Sequence, residues 1–92
     1  MEHFLGCLVQ SKAGHDRGEI YLVIREEKDR AELVNGRGRT GARPKIKNVK
    51  HLTILRKGYP AELTEQIRKG GIPADEEIRR IIRNVKKEIF NV

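Results

Sequence analysis

Val9-Gln10-Ser11-Lys12-Ala13-Gly14-His15-Asp16-Arg17-Gly18-Glu19-Ile20-Tyr21-Leu22-Val23 is the stretch on which the reading of this chain turns. It is entered from a mostly apolar run, Leu5 to Gln10, and it leaves through Ile20 to Ile24, five apolar residues rich in β-branched side chains. Both runs have the composition and length of strands. The segment between them holds two glycines four residues apart, Gly14 and Gly18. Glycine reaches positive φ without steric cost, so Ser11 to Gly18 reads as a tightly shaped loop. Strand, shaped loop, strand is therefore the first unit of the fold.

Further along, Glu26-Glu27-Lys28-Asp29 is a polar turn that leads into a third strand over Arg30 to Val34. Asn35-Gly36 follows, the pair best suited to a two-residue hairpin because both central positions of a type I′ turn need positive φ. A fourth strand is expected to leave it around Arg37. Pro44 breaks that pattern, and Val49 to Leu55 reads as a fifth strand. About five short strands in this space predict a mainly β fold, a small closed barrel of the SH3-like kind, since closure removes exposed edges. The last third changes character. Pro60 to Lys69 is helical in pattern and is ended by Gly70-Gly71. A second helix is expected from Pro73-Ala74-Asp75, with Asp75, Glu76 and Glu77 in its first turn and Lys86 and Lys87 in its last, both matched to the helix dipole. Ile78, Ile81, Ile82, Val85 and Ile89 form one apolar stripe at helical spacing. Each is worth about 1.5–3 kcal/mol if buried, so the stripe must be covered. Packing within the chain is the expected solution; a dimer or a docked partner is the alternative. The domain reading is a barrel over residues 1–57 and a helical extension over 58–92.

The 92 residues provide for one compact domain, with 37% hydrophobic and 36% charged side chains. Four aromatics (Phe4, Tyr21, Tyr59, Phe90) and no tryptophan argue against a large ligand cavity. Lys and Arg outnumber Asp and Glu by 20 to 13, for a formal charge of +7. The imbalance is local. Residues 1–58 hold 13 basic and seven acidic side chains, a net of +6, whereas residues 59–92 hold seven and six. Between Gly36 and Lys50 stand Arg37, Arg39, Arg43, Lys45, Lys47 and Lys50 with no carboxylate among them. Arg37 with Arg39, and Lys45 with Lys47, would share a face if each pair lay on a strand. Gly36, Gly38 and Gly41 keep the backbone between them slim. Such a strip suits a polyanion, with arginine also able to stack on bases. The acidic turn at Glu26 to Asp29 is expected elsewhere on the barrel. A membrane surface is disfavoured, because the cations fall on expected strands and loops and no basic helical face is paired with Trp or Phe. No apolar run approaches the ~20 residues of a membrane span.

Recognisable catalytic chemistry is missing. Cys7 is the single cysteine, so no intramolecular disulfide forms and a reducing cytosol fits. Phe4-Leu5-Gly6-Cys7 faintly resembles a lipoprotein cleavage site, but Glu2 is acidic and no basic, apolar leader precedes it. His3, His15 and His51 have no metal-ligand spacing with Cys7. His15 beside Asp16 has no nucleophile or oxyanion motif to serve, and is read as a loop residue suited to touching phosphate or ribose. Gly14 to Gly18 lacks the ending of a P-loop. No enzyme activity, metal or cofactor is expected.

The loop and its flanks, Val9 to Val23, resemble the KOW motif, in which a strand, a loop ending in a near-obligatory glycine and a second strand make one RNA-binding unit. Leu33-Val34-Asn35-Gly36-Arg37-Gly38-Arg39 and Pro44-Lys45-Ile46-Lys47-Asn48-Val49-Lys50-His51-Leu52 continue the likeness. Over roughly residues 5–55 the chain is similar to the bacterial KOW-domain RNA-binding proteins related to the fourteen-e protein of the archaeal and eukaryotic large ribosomal subunit. The resemblance implies an SH3-like barrel of KOW type with ribosomal or other structured RNA as ligand. Gly18 takes the motif's glycine, and Lys12, Arg17 and the block from Pro44 to His51 are contact candidates. Two departures stand out: Ile46, Asn48 and Val49 interrupt a basic run usual after the proline, and His15 stands where a basic residue is common. Together with the charge pattern, the expected RNA-binding residues are Lys12, His15, Arg17, Gly18, Arg37, Arg39, Arg43, Lys45, Lys47, Lys50 and His51. The expected role is that of a cytoplasmic, monomeric, ribosome-associated RNA-binding protein. A protein-interaction module of translation or transcription is the alternative, and duplex DNA ranks last for want of a basic reading helix. Charge reversal at Arg37, Arg39 and Lys47 together is expected to abolish binding and spare the fold.

Overall fold

A computed structural model describes residues 3–58 and 60–90; Glu2 and Tyr59 lie outside the described residues. Five strands, β1 (Leu8–Ser11), β2 (Ile20–Glu27), β3 (Arg30–Val34), β4 (Lys45–Asn48) and β5 (Leu52–Arg56), are followed by two helices, α1 (Ala61–Arg68) and α2 (Asp75–Phe90). The strands form one antiparallel sheet in the order β4-β3-β2-β1-β5. This is a mixed β and α domain. The expected barrel is present only as its sheet, because β4 and β5 are the two edges and no ladder joins them.

β2 lies at the centre of the sheet, and its residues Ile20 to Ile24 are buried without interruption because both faces are covered. Side chains alternate along a strand, so two apolar layers arise from one run. Ile20, Leu22 and Ile24 join Leu8 and Val34 under the helices, where Leu63, Ile67, Ile78, Ile81, Ile82 and Val85 complete the layer. Tyr21 and Val23 face the other way and pack with Cys7, Val9, Ala31, Leu33 and Leu52. The isoleucine stripe of α2 is thus covered by the chain's own sheet, with Ile89 at its margin. α1 ends as its glycines foretell. Gly70 takes φ +91°, its N–H bonds to the Ile67 carbonyl, and the Gly71 N–H reaches back to Gln66, a Schellman closure.

Four expectations about the strands are corrected. Asn35-Gly36 does not form a hairpin: Gly36 has φ +78°, whereas Asn35 does not enter the positive region. Instead the Asn35 Oδ1 accepts from the N–H groups of Arg37 and Arg39, at 2.9 and 3.1 Å, and closes a side-chain turn. The chain then runs as a loop through Pro44, and the fourth strand begins at Lys45, not around Arg37. The tight hairpin of the sheet is made by Lys28-Asp29, where Lys28 takes φ +57° between the paired residues Glu27 and Arg30. Val49 to His51 form one 3₁₀ turn, so the fifth strand starts only at Leu52. Asn48 initiates that turn, its side chain accepting from the Lys50 N–H. At the N-terminal side Leu5 and Gly6 lie in a turn ahead of β1, whose first residue is Leu8.

Candidate nucleic-acid interface

The loop from Ser11 to Gly18 is held by its own backbone. The Gly18 N–H donates to the Ser11 carbonyl, Ser11 N–H to Glu19, Glu19 N–H to Asp16 and Arg17 N–H to Gly14. Gly14 and Gly18 take φ +88° and +94°. Nothing crowds Gly18, so its role in the fold is conformational. Lys12, His15 and Arg17 stand exposed on the outside of this loop.

Asp16 points inward. Its Oδ1 accepts from Ser11 Oγ at 2.9 Å and Lys47 Nζ at 2.8 Å, and its Oδ2 accepts from the Tyr21 hydroxyl at 2.8 Å. Both members of the ion pair are only 12% exposed. Burial pulls the Asp16 pKa upward, but the hydrogen bonds from Lys47, Tyr21 and Ser11 and the Lys47 charge outweigh it and hold the carboxyl at about 2. Burial, with the Asp16 carboxylate second, pushes the Tyr21 hydroxyl well above the usual range. The group is a staple: it ties the loop to β1, β2 and β4 at one end of the inner layer, the one that holds Tyr21 and Val23.

The structure revises three sequence expectations. Lys47 faces Asp16 and the interior, so reversing its charge would set two carboxylates together and would not spare the fold. Lys45 and Lys47 do share a face of β4, opposite Leu33 and Ala31 of the inner layer. Arg37 and Arg39 lie on a loop and diverge. Arg37 borders α2, whereas the charge of Arg39 is felt at the Tyr21 hydroxyl. The other candidates gather near the staple: the Lys12 N–H bonds to the His51 carbonyl, joining the loop to the 3₁₀ turn that carries Lys50. Arg43 is exposed on the loop ahead of Pro44. The acidic turn is closer than expected, since the Asp29 carboxylate accepts from Asn48 Nδ2 and its carbonyl from the Val49 N–H.

Besides Lys47, four cations have a carboxylate partner. Arg25, Arg30, Arg56 and Arg80 are matched to Glu32, Asp29, Glu88 and Glu77. Lys12, Arg17, Arg37, Arg39, Arg43, Lys45 and Lys50 make no ion pair among the described residues, and the same holds of Lys28, Lys57, Arg68 and Lys69 elsewhere in the chain. The first seven are among the residues that sequence reasoning picked out as contact candidates; it did not pick out α2, where Arg79, Arg83, Lys86 and Lys87 line a groove with Arg37. The signal was present: from Ile78 to Lys87 the chain has five cations and no carboxylate, but the near-neutral total for the last third conceals it.

A wider cleft of about 700 Å³, larger than so few aromatics led us to expect, lies on another side. Leu5, Ile24, Ile46, Ile67 and Ile72 line it together with three glutamates, Glu26, Glu27 and Glu32, and three arginines, Arg25, Arg30 and Arg68; Ile46 is 61% exposed. Among the described residues, no group of three or more His, Cys, Asp or Glu side chains is arranged to hold a metal, and no helix is long and apolar enough to cross a membrane. No family model matches the chain, and no curated protein matches it significantly in sequence.

Proposed function

We propose that this protein is a non-catalytic, cytoplasmic RNA-binding protein that associates with the ribosome and meets rRNA through the rim formed by the Ser11–Gly18 loop, the loop from Arg37 to Arg43 and the turn around Lys50. The observation that carries the reading is the run of exposed, unpaired cations on these loops, one of which, Ser11–Gly18, is held in position by the Asp16 staple. Unpaired arginines and lysines on rigid loops bind phosphate without first breaking internal bonds. The KOW resemblance supplies the ligand class, and the β4-β3-β2-β1-β5 order, with a single 3₁₀ turn linking the edge strands, is compatible with an SH3-like barrel. Recognition in this reading uses phosphates and RNA shape rather than a base code.

The test is a sucrose gradient of native lysate at low and high salt. Co-migration with the large subunit at low salt and release at high salt is expected of a peripheral phosphate contact. A protein that remains at the top under both conditions removes the ribosome from the proposal. Charge reversal at Arg37, Arg39 and Lys50, leaving Lys47 in place, is expected to abolish RNA binding with thermal stability unchanged. A protein-interaction role has one specific feature in its favour, the cleft around the exposed Ile46; the isoleucine stripe, being buried, offers nothing to a partner.

A further inference from the structure

We infer that the C-terminal half of α2 is a second wall of the RNA site, and that the groove between it and the Asn35–Arg37 turn takes a stretch of phosphodiester backbone. The inference rests on the RNA-binding reading above and extends it to a helix that neither the charge strip nor the KOW resemblance includes.

The groove measures about 280 Å³ and presents Arg37, Arg79, Arg83, Lys86 and Lys87, with Glu19 as its one carboxylate. Arg79, Arg83 and Lys87 recur every fourth residue, which sets them on one face of the helix. The rise between them is about 6 Å, comparable to the separation of adjacent phosphates along a strand. Arg83, Lys86 and Lys87 are exposed and make no ion pair among the described residues, whereas Arg80, one residue off this face, is matched to Glu77. Ile20 and Ile82, both buried in the core, close the bottom of the trough.

The two walls are fixed to each other. An Arg79 guanidinium N–H donates to the Gly36 carbonyl. Gly36 lies so close to α2 that an added Cβ would come within 2.5 Å of the Asp75 carbonyl oxygen. The groove therefore exists before any ligand arrives, and binding need not order it. Its near wall belongs to the same turn as Arg39, so it continues the rim without a gap in the chain. Concavity and this continuity favour a nucleic-acid strand over a lipid surface, for which exposed apolar side chains would be needed along the basic face. Phe90, 46% exposed, stands only at the helix end.

The experiment measures binding of the full chain to a labelled RNA hairpin with single-stranded flanks by fluorescence anisotropy, between about 50 and 200 mM KCl. The groove variant is R83Q/K87Q and the rim variant R17Q/R39Q/K50Q; all five residues are exposed and unpaired, and circular dichroism verifies folding. The groove variant is expected to bind about tenfold or more weakly at low salt, with the salt slope reduced by roughly 1.4–1.8 for two lost phosphate contacts. R83K/K87R is expected to restore most of the affinity. Loss in the rim variant with the groove variant unchanged overturns the groove and leaves the RNA reading standing. A parent chain that binds neither the hairpin nor extracted rRNA overturns both. If the groove variant instead loses binding to phosphatidylserine-rich vesicles while RNA binding is unaffected, the groove faces lipid and the inference fails.

Discussion

Asp16 is the residue on which the local architecture depends most. It lies in an exposed loop, yet its carboxylate receives a hydroxyl from β1, a phenol from β2 and an ammonium from β4. Folding lowers its pKa from 3.8 to about 2. As pH falls, the unfolded chain takes up the proton first. The stabilisation is therefore complete above about pH 4 and is lost as pH drops through 2. It amounts to about 2 kcal/mol, readable as acid-dependent loss of stability in urea titrations. Asp16→Asn should remove that dependence and leave the Lys47 ammonium nearly buried without its anion, a cost of about 3 kcal/mol at neutral pH. If Asp16→Asn melts like the parent at pH 7, the staple does not hold the loop. The glycines separate two causes at this same scale. Gly18→Ala meets only the backbone penalty of its positive φ, about 1–2 kcal/mol. Gly36→Ala meets that penalty and a collision with α2, so chemical denaturation should find it the more damaging of the two.

At the scale of elements, α2 has two faces that do different work. Its apolar face closes the layer over Leu8, Ile20, Leu22, Ile24 and Val34. Ile78, with no exposed surface at its centre, is the position where truncation costs most; Ile78→Ala should destabilise the protein by about 2–5 kcal/mol in thermal or urea melts. Arg83 on the opposite side should tolerate Gln with stability unchanged within about 0.5 kcal/mol, since it is exposed and unpaired. An equal loss from both substitutions would mean that the helix is not organised in this way. The loop from Asn35 to Pro44 shows how a local rule is overridden. Asn-Gly favours a hairpin, but the Asn35 side chain here caps the turn and Gly36 seats against a helix some forty residues later. No window of sequence around Asn35 contains that helix.

For the whole molecule, charge is the organising quantity. Arg25, Arg30, Lys47, Arg56 and Arg80 each have a carboxylate partner, and among the cations without one are those of the Ser11–Gly18 loop, Arg39, Arg37 and the C-terminal half of α2. RNA binding through such a surface should weaken linearly in log affinity against log salt concentration, with a slope that counts the phosphates neutralised. A salt-independent affinity would transfer the function to the apolar cleft around Ile46.

What the sequence determined by itself were the features governed by neighbouring residues. The third strand over Arg30 to Val34, the helix ended by Gly70-Gly71 and the acidic start of α2 all follow from local propensity, capping and periodicity, which act within a few residues. The continuous burial of Ile20 to Ile24 was legible as a strand, though not as the centre of two layers. Most of the candidate rim could be read in the same way, because its cations cluster along the chain. Only the tertiary structure decided which cations are free. Lys47 reads like Lys45 until Asp16 arrives from a different part of the chain, whereas the pairing of Arg80 with Glu77, three residues back on the same helix, is local and was within reach of the sequence. Pairing is a matter of distance in space, and so is the open sheet that stands where a closed barrel was expected. Closure depends on whether β4 and β5 come within hydrogen-bonding reach, and no run of residues carries that distance.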